Sequence, residues 1–524
     1  MREFVLTGLL IVFATSAFTQ KVKYDSGNNG RKLDWAFYYL DKYYVDTTDI
    51  DHLAEVALRA IVKELDPWSR YDPPKKAKEQ KDRDDGIKEV GIGIKYYILQ
   101  DTAVITSVAK ESSAEKAGVQ RGDMILKVDG TDVVDTSWDD IDDMLKGERD
   151  TDVKLSLKRK SNFEFDISLP RATVPYESVA AGFLVDEDIA YLKLNNFNKR
   201  TIPEFKTYTE NLKPKHFIID LRDNTGGTLN ASIELADQFL SPDKMIVYSQ
   251  GFNMDRKDYL STNDGSYHNA KVVILVDDYS MSASEVFTAA LQDHDRCLII
   301  GTNTRGKALI QRSYKLGDGS TLRITVGRYY TPSGRLIQRD YDADSDWLTD
   351  NSDLISDDQL TSNIAVPKEY QSKTLSSRPI ISGHGGIAPD VYMEYFLGND
   401  KYYKTLNKEG LVYGFVTWYV HYNRERLLKL FPQPKAFMES DGVDEELDYT
   451  FTKYVERKHK SWDLNIEIQP GPTTPRTMVQ IKAWIGTQVW GADAFYMIRK
   501  ENDTLLKTAK SAIKGEMFSK IGLQ

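Results

Sequence analysis

Apolar residues recur at three-to-four spacing in two runs near the start of the chain, LDWAFYYLDKYY (33–44) and LAEVALRAIVKEL (53–65), and this period predicts amphipathic helices within residues 31–80. Asp66-Pro67 ends the second run, because the residue before a proline disfavours helix. These two runs read as packing helices with no binding role. From residue 86 to 170 the period shortens. Short β-rich runs (VGIGIKYYI, AVITSVA, DMILKVDG, DVKLSLKR, FEFDISL) alternate with glycine turns, and SSAEKAG and SWDDIDDML read as two short helices between them. That combination predicts a compact, partly open barrel of about 85 residues. From 172 to 395 continuous apolar strands alternate with amphipathic helices: IAYLKL then TIPEFKTYTENL, HFIIDL then NASIELADQFL, KVVILV then SASEVFTAALQD, then CLIIG. Repeated βα units of this kind predict a sheet covered by helices. An Asp-rich stretch at 340–373 interrupts them, and residues 400–524 are aromatic and helical in pattern, broken by the loop QPGPTTP at 469–475.

Composition narrows the class. The 524 residues are 41% hydrophobic and 28% charged, the balance of a globular protein of about three or four domains. With 69 Lys+Arg against 79 Asp+Glu the net charge is −10, which argues against nucleic acid as a partner because phosphate contacts need a clustered basic surface. One cysteine, Cys297, cannot form an internal disulfide, a four-cysteine zinc site or a CxxC redox pair, and it reads as a buried small residue opening an apolar strand.

Residues 1–20 read as a secretory signal peptide: Arg2, the mostly apolar stretch Phe4–Phe13, then Ala14, Thr15, Ser16 and Ala17. The apolar run is shorter than the roughly 20 residues a span needs, so a soluble exported chain is expected, in the bacterial periplasm.

Three segments can carry chemistry. Asp220–Gly227 (DLRDNTGG) follows an apolar strand, and Gly226-Gly227 at a strand-to-helix turn can aim backbone N–H groups into a shared cavity, although a tight turn alone would also use them. Ser280, Ser282 and Ser284 occupy a small-residue turn before a helix. There Ser282 with Glu285 fits a capping box, and a nucleophile would equally gain from the positive helix end. Lys307 sits among apolar residues on an expected strand, where it either snorkels or, if desolvated, loses enough basicity to act as a base, with Gln311 four residues on to orient it.

Together these segments resemble the carboxyl-terminal processing peptidases, or tail-specific proteases, which use a Ser-Lys dyad. Lys307 stands 25 residues after Ser282 and Gln311 four after Lys307, as in that family. Leu221–Gly227, Arg328–Gln338 (RYYTPSGRLIQ) and Gly386–Asp390 (GIAPD) match its further elements. The middle barrel looks like a PDZ domain, with Gly91, Ile92, Gly93 and Ile94 in the place of the peptide-carboxylate loop. The likeness covers about residues 30–395. In two places the chain departs from the family: Met281 interrupts the usual SASASE, and Arg305 replaces the aromatic residue before the Gly-Lys pair.

The resemblance implies a multidomain α/β protein. It has a PDZ-like β-barrel domain (86–170) beside an α/β Ser-Lys protease core (171–395), with helical regions at 21–85 and 396–524. It implies that neutral Lys307 takes the proton from Ser282 Oγ, which attacks a peptide carbonyl to give an acyl-enzyme; Gln311 positions the lysine. Backbone N–H groups of Ala283 and of Gly226 or Gly227 form the oxyanion hole, and Asp293 on the following helix serves as structural support. The PDZ loop captures the C-terminal carboxylate of a protein substrate. No cofactor or metal is implied. A homodimer through the helical regions is compatible with the pattern.

Other readings weigh less. There is no GxSxG elbow, and His294 beside Asp293 is expected exposed and pointing away from it, which disfavours a Ser-His-Asp triad. HExxH is absent, and DYDADSD from Asp340 lacks the Gly and Glu of a calcium loop, having Ser345 and Asn351 instead. The remaining alternative is a catalytically silent PDZ-type peptide-binding scaffold. Such a scaffold should have lost Ser282, Lys307 or the glycine pair, and all are present.

Overall fold

The computed structural model describes residues 29–159, 163–262, 265–341, 368–382, 385–394, 401–462 and 473–523. The expected signal peptide, most of the Asp-rich stretch and the start of the QPGPTTP loop lie outside the described residues.

The first helices are α1 (Asn29–Tyr43) and α2 (Ile50–Lys63), the latter capped by Asp49, whose carboxylate accepts the His52 N–H at 2.9 Å. Their expected role as packing helices needs correction. Of the residues in α2 only Val62 is buried, and α1 leaves Trp35, Tyr39 and Tyr43 at 54%, 53% and 67% exposure. Beyond them the short strand β1 (Arg70–Asp72) and helix α3 (Pro74–Asp84) lead into the barrel.

The barrel begins after β2 (Ile87–Gly91). Its strands are β3 (Ile94–Leu99), β4 (Thr102–Val108), β5 (Met124–Val128), β6 (Thr131–Asp132), β7 (Asp152–Arg159) and β8 (Phe163–Pro170), paired in the order β3-β4-β5-β7-β8 with β6 on β5. Two short helices complete it, α4 (Ser113–Lys116) and α5 (Trp138–Leu145), each started by a serine, Ser112 and Ser137, that accepts the N–H three residues on. Alternation decides the inside: Val153, Leu155 and Leu157 of β7 are buried against Ile105, Ile125 and Ile141.

Next come β9 (Ala172–Pro175), which pairs with β2, then β10 (Val179–Leu184), β11 (Ile189–Leu194), α6 (Thr201–Leu212), β12 (His216–Asp220), α7 (Leu229–Asp237), β13 (Met245–Gly251), β14 (Met254–Leu260), β15 (Val272–Val276), α8 (Ala283–Asp293), β16 (Leu298–Gly301), β17 (Leu309–Lys315), β18 (Thr321–Tyr330), β19 (Gln371–Lys373), β20 (Pro379–Ile381) and β21 (Val391–Tyr392). The central sheet runs β10-β11-β12-β15-β16-β21, parallel except at β10. All six residues of β11 and all five of β15 are buried, because both faces of a parallel sheet are covered. A second sheet joins β1, β13, β14, β17 and β18.

The C-terminal helices are α9 (Lys401–Lys408), α10 (Leu411–Leu430), α11 (Pro434–Met438), α12 (Asp441–Trp462), α13 (Pro475–Trp490), α14 (Ala492–Arg499), α15 (Thr504–Lys514) and α16 (Met517–Lys520). Helices α9 to α14 form their own aromatic core around Phe415, Tyr419 and Phe451. The last two do something the sequence pattern did not suggest. Leu505, Leu506, Ile513 and Phe518 pack on Ile218, Val273, Leu298 and Ile300, while α6–α8 cover the opposite face, so the sheet is the middle of three layers. Among the described residues no helix is long and apolar enough to cross a membrane.

Candidate active site

Ser282 is the residue before the first turn of α8 and has φ 57° and ψ −113°, a backbone conformation rare for a side chain larger than glycine. The turn is held from several sides. Ser280 Oγ donates to Leu221 O at 2.8 Å, Ser284 Oγ to Asn224 O at 3.0 Å, and the Met281 N–H to Asn224 O at 3.1 Å. The result is a partly exposed serine at the positive end of an eleven-residue helix that is buried throughout.

Glu285, three residues on, is fully buried. Its carboxylate accepts the Ser282 N–H at 2.8 Å, Thr304 Oγ1 at 2.6 Å, the Gly306 N–H at 2.6 Å and the Lys307 N–H at 2.8 Å. One side chain therefore ties the backbone of the serine to the backbone of the lysine. Sequence reading saw only the helix-capping half of this role. Burial pushes the carboxyl of Glu285 up, and the four donors oppose that.

Lys307 lies two residues before β17, in an extended loop rather than on the expected strand. Its Nζ donates to Gln311 Oε1 at 3.3 Å, and Gln311 Nε2 donates to Trp68 O at 2.7 Å. A bulge between Ile310 and Gln311 sets the aim of that glutamine. Nζ also sits 4.2 Å from the centre of the Trp68 ring. Burial, followed by the like charges of Arg323 and Arg70, pulls the amine from its ordinary 10.5 down to about 8, against Glu285 and Asp66.

Trp68 was missed by sequence reading, which assigned its region to packing. Its turn is built by Asp66, whose Oδ1 accepts the N–H groups of Trp68 and Ser69, both at 2.8 Å; Ser69 Oγ in turn accepts the Thr325 N–H at 3.1 Å. The signal available was Asp-Pro-Trp-Ser, an Asx turn that presents an aromatic ring at a helix end. Trp68 also supplies the aromatic cover that Arg305, which is exposed, does not. Trp68→Leu keeps the backbone carbonyl that holds Gln311 but lets water reach Nζ. A pH–rate profile of the variant is expected to show its midpoint raised by about one unit, with roughly tenfold less activity at pH 7.

The glycine pair lies against the serine turn. A Cβ on Gly226 (φ +91°) would lie 2.6 Å from Met281 O and 2.9 Å from Ser282 Cβ, and one on Gly227 (φ +148°) 1.9 Å from Phe197 O. The two N–H groups differ. That of Gly226 already donates to Asn224 Oδ1 at 2.9 Å, whereas those of Gly227 and Ala283 have no hydrogen-bond partner among the described residues.

Asp293 stands at the other end of α8, about 16 Å away at 1.5 Å per residue. It accepts from Arg335 Nη2 at 2.5 Å and from the Ser333 N–H at 2.8 Å, so it anchors the TPSGR loop and is remote from Ser282. His294, expected exposed, is half-buried instead, with Nε2 donating to Met245 O at 2.7 Å; burial holds its pKa below the usual value. Cys297 is fully buried.

In the barrel, Gly93 (φ +82°) allows a close approach, since a Cβ there would meet Ser112 Cβ at 2.2 Å. Ile92 is buried and its carbonyl accepts the Ala114 N–H at 3.0 Å; Gly91 pairs with Ala172 and Ile94 with Val108.

The family model for peptidase family S41 matches residues 188–346, and that for a PDZ domain matches 104–159. A probable CtpA-like serine protease of Staphylococcus haemolyticus is 32% identical over 342 residues, 64% of this chain and 68% of the relative. The chain belongs to peptidase family S41. This serine protease is also 32% identical over 342 residues to a carboxy-terminal-processing protease of Bartonella bacilliformis, covering 64% of the chain and 78% of the relative. Among solved structures it is similar to a photosystem II D1 C-terminal processing protease, 28% identical with a TM-score of 0.32, over 58% of this chain and 89% of that one.

Proposed function

We propose that this S41 protease cuts protein substrates whose C-terminal tails are captured by the PDZ domain, using Ser282 as nucleophile and Lys307 as base. The observation that carries the reading is the shared suspension of both residues from one buried carboxylate, with the lysine brought down to about 8. Neutral Lys307 accepts the Ser282 hydroxyl proton as Oγ attacks the scissile carbonyl. The ammonium then protonates the leaving amine, and water, deprotonated by the same lysine, releases the acyl group. Gln311 fixes the amine in direction. The developing oxyanion meets the N–H of Ala283 and that of Gly227, the member of the glycine pair with no partner among the described residues. The loop Gly91–Ile94 binds the substrate carboxylate through its N–H groups.

The chain is exported, in keeping with its leader-like first twenty residues, and works as a soluble enzyme in the bacterial periplasm. The open aromatic face of α1 supports a homodimer through the N-terminal helices, since a patch of Trp35, Tyr39 and Tyr43 is seldom left to water. The test compares an unfolded substrate with a free apolar C-terminus against the same substrate amidated at that end. Amidation is expected to lower kcat/KM at least tenfold. Equal cleavage of the two would sink tail capture, and no cleavage of either would leave the silent scaffold as the better description.

A further inference from the structure

A cavity of about 270 Å³ lies between the PDZ barrel and the C-terminal helices, walled by β4, the turn before β5, α10 and the end of α13. Its lining is apolar at Val104, Ile105 and Val420 and cationic at Arg121, Arg159 and Arg424. Its lining includes no residue of β3 or of the Gly91–Ile94 loop, so it is separate from the expected peptide groove.

The charges inside it do not balance. Asp123, the buried carboxylate of the lining, is taken by Arg159 in a two-point pair at 2.7 and 2.8 Å. Arg121 makes no hydrogen bond or ion pair among the described residues, and Arg424 makes one long contact, from Nη2 to Val489 O at 3.4 Å. The Nε atoms of both are buried without a partner. Glu425 stands exposed at the rim. Burial holds both guanidiniums below their usual basicity, and Arg121 pushes Arg424 further. Glu115 attracts Arg121 and Asp123 attracts Arg424, yet neither carboxylate bonds its arginine among the described residues, so the two cations that face the cavity from two domains remain short of counter-charge, and planar guanidinium forks suit oxygen anions.

We infer that this cavity binds a compact oxyanion, a phosphate or a small polycarboxylate, clamped between Arg121 of the PDZ barrel and Arg424 of the C-terminal helices. The bound anion fastens the PDZ barrel to the helices.

The full chain is melted in chloride buffer at fixed ionic strength while inorganic phosphate, and separately citrate, is titrated. At least one is expected to raise Tm saturably, by about 2–4 °C near saturation. Arg121→Gln and Arg424→Gln are each expected to raise the half-saturating concentration at least tenfold, with the exposed Lys116→Gln unchanged. In chloride alone Arg121→Gln is expected to melt no lower than the parent, because it removes a half-buried cation that no carboxylate bonds. A phosphate-only or citrate-only response identifies the source, and a response to both fits the shared chemistry. The inference is overturned if neither probe gives a saturable shift or if both arginine variants retain it. It is also overturned if Arg424→Gln lowers Tm equally with and without anion, as a mere cap on the α13 carbonyl of Val489 would. Arg424→Gln keeps the test open should Arg121→Gln fail to fold.

Discussion

Replacing Lys307 by methionine is expected to reduce kcat/KM by about 10³-fold or more while raising the melting temperature. Both effects come from one cause. The amine is pulled from 10.5 to about 8 chiefly by burial, so at neutral pH the fold holds a charge in a place that disfavours it. A group whose folded pKa lies below its unfolded value destabilises the fold below the folded pKa, and that penalty fades as pH rises from about 8 towards 10.5. The cost at pH 7 is on the order of 3 kcal/mol. Methionine removes it at similar volume. It also removes the proposed base, a group worth about 10²–10⁴-fold in proton transfer. The wild-type pH–rate profile should rise through about pH 8 and level off above it, because only the neutral amine accepts the serine proton. At pH 7 about one molecule in ten is then active. Ser282→Ala should be as inactive as Lys307→Met without the gain in stability. Differential scanning calorimetry beside peptide hydrolysis checks the pair. A Lys307→Met enzyme with wild-type rates, or a flat profile from pH 6 to 9, would falsify the assignment of the base.

Glu285→Ala is expected to cost about 3–5 kcal/mol of stability and on the order of 10²-fold or more in kcat/KM. The buried carboxylate accepts four hydrogen bonds, from Ser282, Thr304, Gly306 and Lys307, and alanine leaves all four donors without an acceptor. Thr304 passes the tie onward, since its Oγ1 accepts the Ile387 N–H at 2.7 Å, and so the GIAPD segment should loosen too. Glu285→Gln keeps one oxygen but turns an NH₂ towards N–H groups, so its loss should be intermediate in both readouts. Chemical denaturation separates the two effects. If Glu285→Ala unfolds at the wild-type midpoint, the carboxylate is not the joint described above.

The C-terminal helices reach the same machinery by another route. Asp503, the N-cap of α15, accepts from Arg222 Nη2 at 2.7 Å, and Arg222 also binds Asp220 at 2.6 Å. Tyr191 donates to the same aspartate at 2.7 Å. Burial opposes ionisation of Asp220, yet Arg222 and Lys193 hold its carboxyl well below the usual range. This buried network sits two residues before Asn224, whose carbonyl receives the Met281 N–H and Ser284 Oγ. The tail therefore braces the loop that carries the glycine pair.

The residues of the candidate site stood out in the sequence for local reasons. A serine before a helix, a lysine after a glycine and a glycine pair after an apolar strand each need particular residue types over a few positions, and such needs leave a mark in the chain. The same holds for the elements: the three-to-four period of α8 and the unbroken apolar runs of β11 and β15 depend only on which faces are covered. What the tertiary structure alone decided were contacts between segments far apart in the chain. Trp68 meets the lysine site through a bond that spans 243 positions, Asp503 meets Arg222 across 281, and α15 closes the third layer of a sheet whose strands end at Tyr392. No periodicity encodes such meetings, because a tryptophan in a turn or an aspartate at a helix start has the same local propensity wherever the fold carries it. The sequence by itself thus offered the candidate groups for the proposed chemistry. Packing decided what surrounds them, and burial set the basicity of Lys307.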